Sequence, residues 1–462
     1  MIELSQLRSL YPEIILTGAA CLLFLGRPSR ALTSWIAFIA ILLTMPFVLE
    51  QWESAVIILN RTYEIGHLVT FLKLVMLTAG ALAIAIVHSD PEVTDHYAEI
   101  VALALTTLVG GMLLISSRHL AVTYLAFEML SVPSYALVGS IANRSKSTEG
   151  GLKYAVFGGA ASGFLLYGFS ILYGLTGSLY YVDIFYSGVS PSFATIIAVV
   201  FIFAGAMYKL AVAPFHYWCP DAFEAAPASI AGLLSIAPKA AGFGLLIALT
   251  EVFHATPIWT SLLGAAAVIS MTFGNLAAIP QQNVKRLLAY SSIAHAGYML
   301  VAAACASRGG KFAILFYLTT YLFMNLGAFY ITGLVSPDGS IRHFRGLAKR
   351  SSFTACCMAI FLFSLTGLPP FGGFIGKLLI ISAALEVKAH FLIIVLVANS
   401  VVSLYYYARI LRTMYFDESE DLLPIRLGTL AETAISVAAA MILVLGLWWG
   451  PIGTLAQAAA RY

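Results

Sequence analysis

Residues 205–228 read GAMYKLAVAPFHYWCPDAFEAAPA. Lys209 closes an apolar run that begins near Phe193, and Pro214 follows five residues later. A charge inside a hydrocarbon layer costs several kcal/mol, and a proline break leaves backbone carbonyls without intrahelical partners. A chain that keeps both at membrane depth has a use for them. The stretch reads as a place where protons or ions halt while crossing a bilayer.

The whole chain fits that setting. Of its 462 residues, 60% are hydrophobic and only 10% charged, against roughly 25% charged in soluble domains. Mean hydropathy is +0.91, so the fold class is an all-α polytopic membrane protein. A net charge of +3 is too small to suggest a nucleic-acid partner. The cysteines at 21, 219, 305, 356 and 357 include no C-x-x-C pair, and no iron–sulfur, haem or zinc spacing occurs. Electron transfer within this chain is therefore not expected. The N-terminus lacks a basic region and a small-residue cleavage site, so it reads as a retained first span.

Apolar windows of spanning length predict about fourteen helices. Six precede the quoted stretch: 12–25, 31–49, 67–88, 98–116, 119–142 and 152–175. The seventh, 192–218, contains it. Then follow 228–252, 257–279, 287–306, 312–335, 353–385, 391–414 and 430–449. An even number puts both termini on one side. Loops after odd-numbered spans, with the adjoining span ends at Lys153, Arg409 and Arg412, hold fourteen of the 25 basic residues, from Arg27 and Arg30 to Arg426, and the opposite loops hold seven. The positive-inside rule then places both termini on the non-cytoplasmic side, in a bacterial cytoplasmic (inner) membrane. The four basic residues left over lie within spans: Lys73, Lys209, Lys239 and Lys377. All are lysines. Arginine stays protonated, whereas a buried lysine can be brought to release its proton.

Two spans are long and interrupted. One holds Lys209 before Ala213-Pro214-Phe215; the other holds TGLPPFGGFIGK, with Pro369-Pro370-Phe371 before Lys377. They stand five spans apart, an odd number, as in an inverted repeat with discontinuous helices near the midplane. The expected organisation is N-terminal helices over 1–97, a first five-helix repeat over 98–252, a second over 257–414 and a last helix within 415–462. The run GGFIGKLL imitates a phosphate loop, but it has one residue too few between glycines and Leu378 where Ser or Thr would bind Mg²⁺. It reads as a flexible helix break.

The remaining polar residues at membrane depth complete a candidate relay. Glu128, in YLAFEMLSVPSYALVG, is expected to partner Lys209, holding its charge when close and releasing it when distant. Lys239, in LLSIAPKAAGFGLL, lies about eleven residues into its span, beside Pro238. His295 sits among Tyr290, Ser291, Ser292 and Tyr298, and hydroxyl neighbours suit a proton relay. His216, just past the first break, is a weaker candidate, and His254 and His390 fall at span edges. Lys73 is only six residues into its span and is expected to snorkel to the interface.

Taken together, YLAFEMLSVPSYALVG, YKLAVAPFHYWCPDAFEAAP, SIAPKAAGFGLL, NVKRLLAYSSIAHAGYML, YLTTYLFMNLGAFYI and TGLPPFGGFIGK resemble the antiporter-like, proton-translocating membrane subunits of NADH:quinone oxidoreductase, complex I. SIAPKAAGF and a lysine at 377 are most similar to the subunit N branch. The resemblance implies fourteen helices with two inverted five-helix repeats. It also implies roles: Glu128 and Lys209 as the first half-channel pair, Lys239 as connector, Lys377 as terminal donor and His295 as relay. FMN, iron–sulfur clusters and quinone would reside in partner subunits, with M-like and K-like membrane-arm subunits as neighbours. Ser117-Arg118-His119 departs from the short acidic or polar helix start that the family leads one to expect. The competing readings are a subunit of a multisubunit Na⁺/H⁺ antiporter and a structural scaffold of the membrane arm.

Overall fold

The structure is a computed structural model and describes residues 4–90, 92–93, 95–141, 144–188, 192–253, 256–418 and 428–461. His254 and Arg426 lie outside the described residues. The bundle opens with α1 (Leu4–Arg8), α2 (Tyr11–Gly26) and α3 (Arg30–Glu50), followed by a hairpin of β1 (Val56–Ile58) and β2 (Tyr63–Ile65). Next come α4 (His67–Ser89), α5 (Tyr97–Ser116), α6 (Leu120–Val138), α7 (Ser145–Thr176), the short α8 (Tyr181–Ser187), α9 (Phe193–Lys209) and α10 (Trp218–Ala225). The second half comprises α11 (Ala228–Val252), α12 (Pro257–Ala278), α13 (Val284–Ala304), α14 (Arg308–Val335), a 3₁₀ turn at Ile341–Phe344 and α15 (Leu347–Arg350). It closes with α16 (Ser352–Thr366), α17 (Gly372–Glu386), α18 (His390–Tyr415), α19 (Thr429–Leu447) and α20 (Gly450–Ala459).

Among the described residues, eleven helices are long and apolar enough to cross a membrane, and α2, α9 and α16 are shorter apolar helices. Each expected span has its helix. The seventh and twelfth are split, into α9/α10 and α16/α17. The β-hairpin is the one departure from an all-helical chain, and it lies between α3 and α4.

Bonds between connecting segments sort those segments into two faces. Tyr63 bridges Ser117, His119 bridges Tyr180 and Arg61 pairs with Asp183, so the α3–α4, α5–α6 and α7–α9 connections share one face. Asn283 bridges Ser340, and Glu92 binds both Arg144 and Lys285, so the α4–α5, α6–α7, α12–α13 and α14–α15 connections share the other. Arg8 pairs with Glu50 and Gln51 donates to the Ser9 carbonyl, which puts the start of the chain at the hairpin face. Arg118, the unexpected residue before α6, ion-pairs with Glu64 and caps the Ile115 and Ser117 carbonyls. It thereby fastens the hairpin to the helices. At this face the Arg61 guanidinium and the Ser178 hydroxyl hold the Asp183 carboxyl below its ordinary pKa.

The two breaks have the same backbone form. After α9, Ala211 turns left-handed (φ 55°), its N–H bonds the Tyr208 carbonyl, and Val212 N–H bonds Met207. After α16, Gly367 does the same (φ 88°), with its N–H on Ser364 and Leu368 N–H on Phe363. Both are Schellman caps, and a cis X-Pro bond follows at the same offset, Ala213-Pro214 and Pro369-Pro370. Freed polar groups find partners: Ala213 N–H donates to Ser270 Oγ at 3.0 Å, and Trp218 Nε1 to the Tyr208 carbonyl at 3.2 Å. Because α9 enters from the hairpin face and α16 from the opposite one, the two C-terminal ends point inward from opposite sides.

Glu92 ties three segments at the face opposite the hairpin. Its carboxylate receives Arg144 at 2.5 Å and Lys285 at 2.9 Å, and the Lys285 side chain is fully buried. Glu92→Gln would leave that ammonium without a counter-charge. The expected loss is on the order of 3 kcal/mol, read as a lowered thermal unfolding midpoint of the purified protein.

Candidate functional site

Lys209 is the last residue of α9, so its ammonium lies where the terminal carbonyls concentrate negative partial charge. Nζ donates to Ser131 Oγ at 2.5 Å and sits 4.3 Å from the centre of the Phe127 ring. Ser131 in turn donates to the Phe127 carbonyl. Behind the break, Tyr154 stacks on Trp218 and meets Tyr135 edge-on, and Tyr208 donates to the Tyr154 carbonyl. This aromatic wall closes the backbone gap on one side.

Glu128 lies one turn from Ser131 on α6. It is half-buried, between outward-facing Leu125 and Val132, and accepts a hydrogen bond from Ser162. No ion pair joins it to Lys209 among the described residues. His216 is buried between Tyr217 and Phe273. His390 is exposed at the start of α18.

Lys239 lies mid-way along α11, which runs unbroken past Pro238. Its ammonium donates to Ser292 Oγ (2.6 Å) and to the Ser292 carbonyl (2.7 Å), 4.9 Å from the Tyr321 ring centre. His295, one turn further along α13, bonds Tyr317 through Nδ1 at 2.7 Å and reaches Tyr407 through Nε2 at 3.4 Å. Tyr407 also shares a hydrogen bond with Ser291.

Lys377 rises from α17 onto the end of α16. Nζ donates to the Thr366 carbonyl at 2.8 Å and the Leu365 carbonyl at 3.4 Å, 4.5 Å from the Tyr298 ring centre. Tyr298 lies edge-on to His295 and accepts from Asn275. Lys377 also lines a cavity of about 270 Å³ between α17 and α18, with Thr366, Ser400 and Leu404.

Lys209 and Lys377 therefore hold the same position, at the inward C-terminal end of a half-helix. Lys209, Lys239 and Lys377 are 2%, 3% and 5% exposed, and none has an ion-pair partner among the described residues. Hydrogen bonds join Lys239 to Ser292, and Ser291 through Tyr407 and His295 to Tyr317, while Tyr298 meets His295 and Lys377 by ring contacts. Among the described residues no hydrogen bond or ion pair joins Glu128 to Lys209 or Lys209 to Lys239.

Lys73 corrects an expectation. It does not snorkel: its side chain is fully buried and ion-paired to Glu13 at 2.9 Å. Its reach toward the interface is capped by Gln51, Tyr63 and α2, which folds Glu13 against it. Counting residues from a span end measures depth but not what covers it. The available signal was Glu13, an acid in the first turn of an otherwise apolar span.

A bundle of apolar helices with two inward-ending half-helices and uncompensated lysines defines an antiporter-like ion-translocating membrane protein. Residues 117–403 match the sequence model of the family described as NADH:quinone oxidoreductase/Mrp antiporter, TM, and the chain belongs to that family. Within it, the chain is 42% identical over 407 residues to NADH-quinone oxidoreductase subunit N 2 of Sorangium cellulosum, covering 81% of this chain and 80% of that one. Its fold superposes on a chain of respiratory complex I from Thermus thermophilus at TM-score 0.85 and 30% identity, over 96% of this chain and 99% of the other. A chain of the Mrp complex from Dietzia shares the fold at TM-score 0.83 and 19% identity, over 98% and 97%.

Ser131→Ala removes the hydroxyl that receives the Lys209 ammonium. Charge-assisted bonds of this kind contribute about 1.5–3 kcal/mol, so the variant should unfold at a lower temperature, while Ser162→Ala, which loses a bond to half-buried Glu128 and none to Lys209, should change it less.

Proposed function

We propose that this chain is a proton-translocating membrane subunit, of the subunit N type, in an NADH:quinone oxidoreductase of a bacterial cytoplasmic membrane. The observation that carries the reading is the trio of buried ammonium groups at 209, 239 and 377, held by rings, hydroxyls and carbonyls and by no carboxylate. An ammonium held this way can lose its proton without abandoning a buried counter-charge. That is the property of a carrier, and a purely structural scaffold has no use for it.

In this reading Glu128 and Lys209 load the first half, Lys239 connects, and the Ser291–Tyr407–His295 cluster relays to Lys377. Quinone reduction in partner subunits, which hold the FMN and iron–sulfur centres, drives the movement of Glu128 toward and away from Lys209. Residues 98–252 and 257–414 act as inverted repeats; the matching caps at 211 and 367, reached from opposite faces, support this. M-like and K-like membrane-arm subunits are the neighbours, and both termini lie on the non-cytoplasmic side. The identity to a subunit N relative favours the oxidoreductase over a Na⁺/H⁺ antiporter, since the Mrp likeness extends to the fold alone.

Lys209→Ala, in a complex shown to be assembled on a native gel that stains for NADH oxidation, should lower proton pumping on the order of tenfold or more, the scale for removing one proton-transfer group. Normal pumping would remove Lys209 from the pathway. Tyr407→Phe should slow pumping less, because Tyr317 remains on His295.

A further inference from the structure

Outside the central line, the four N-terminal polar groups that meet beneath the hairpin remain unused. Glu13 on α2 and Lys73 on α4 are 4% and 0% exposed. Their charged groups stand 2.9 Å apart, with Tyr63 of β2 between them. The Lys73 ammonium donates to Tyr63 Oη at 2.6 Å, and Tyr63 Oη donates to Glu13 Oε1 at 2.7 Å. Ammonium, phenol and carboxylate thus form a closed triangle of short contacts, in which the ammonium reaches the carboxylate both directly and through Tyr63. Glu13 Oε2 is enclosed and has no hydrogen-bond partner, and the hydroxyls of Thr70 and Ser116 are likewise buried without one. Thr70 stands three residues before Lys73 on α4, and Ser116 directly precedes the residue that bridges Tyr63.

We propose that Glu13, Tyr63 and Lys73 form a further proton-holding site, set beneath the hairpin face. The proposal rests on the proton-translocating reading above. The transfer step balances within the triad. An N–H bond of Lys73 breaks as an O–H forms on Tyr63, whose own O–H breaks as one forms on Glu13. Amine and acid replace ammonium and carboxylate with no change in net charge, so the step avoids creating a lone buried ion.

The triad lies at the hairpin end of the bundle, with apolar packing toward α11. Next to Lys73, Leu72 packs with Ile115 onto Gly244 of α11. Gly244 lies about 7.5 Å along that helix from Lys239, toward the hairpin face. On the outer side, Gln51 receives the Lys73 ammonium at 3.4 Å and donates to the Ser9 carbonyl, and Tyr63 itself belongs to the hairpin. An ion pair that served only to dock α2 would be replaceable by apolar side chains.

The test uses the whole complex reconstituted in liposomes, with protons moved per NADH oxidised as the readout and native-gel migration as the control for assembly. The double variant Glu13→Gln/Lys73→Gln keeps hydrogen bonding across Tyr63 without a lone charge. Tyr63→Phe keeps the 2.9 Å ion pair and the packing of α2. Both are expected to assemble, to reduce quinone, and to move fewer than half the protons per NADH of the unaltered complex. Unchanged proton yield in both overturns the proposal. So does loss of assembly in the double variant together with full yield in Tyr63→Phe, which would make the triad a clamp. Lys239→Gln run in parallel separates the two levels. If it abolishes pumping while the triad variants pump normally, only this inference fails. If it too pumps normally, the central reading fails and this one with it.

Discussion

The same device recurs at four ammonium groups at membrane depth. Lys73, Lys209, Lys239 and Lys377 each lie 4.3–4.9 Å from the centre of an aromatic ring, those of Tyr63, Phe127, Tyr321 and Tyr298 respectively. A desolvated cation–π contact contributes about 2 kcal/mol, and a charge-assisted hydrogen bond about 1.5–3 kcal/mol. Inserting a charged side chain at the centre of a spanning helix costs about 2.5–3.5 kcal/mol. The two sides are comparable, so the site is tolerated by the fold without being locked. Three of the lysines have no carboxylate within ion-pair distance among the described residues.

The interrupted helices follow from this requirement. A continuous helix consumes its own carbonyls, whereas a half-helix ending inside the bundle presents them. Lys209 is the final residue of α9, and Lys377 reaches back to the last carbonyls of α16. Left-handed caps at Ala211 and Gly367 turn the chain away at the same register, and the remaining polar groups are satisfied by Ser270 and Trp218 on one side and Ser364 on the other. Lys239 needs no break because Ser292 on α13 supplies both a carbonyl and a hydroxyl. Tyrosines of α13, α14 and α18 surround His295, and two of them, Tyr321 and Tyr298, lie against Lys239 and Lys377.

The faces of the bundle are secured differently. There, carboxylates do pair with cations, as in Glu92 with Arg144 and Lys285, or Asp221 with Lys153 and Arg286. Ion pairs fix the connecting segments, and the hydrocarbon depth is left to unpaired lysines. The Glu13–Lys73 pair is the exception, a carboxylate and an ammonium joined inside the membrane-spanning part.

The spans and the two interruptions were legible in the residue order, because a bilayer demands long apolar runs and any charge or Pro-Phe break within one stands out; the same contrast singled out Glu128, Lys209, Lys239, His295 and Lys377 as candidates. Membership of the antiporter-like family was legible for the same reason, as the unusual residues recur in short motifs around those breaks. What required the tertiary structure was partnership. Glu128 and Lys209 are 81 positions apart in the chain, and only packing decides that each takes a serine, Ser162 and Ser131, instead of the other. Lys73 read as an interfacial lysine until α2 brought Glu13 against it. Composition and periodicity report the depth at which a side chain lies along its own helix, while its neighbour, and hence its chemistry, is set by helices arriving from elsewhere in the sequence.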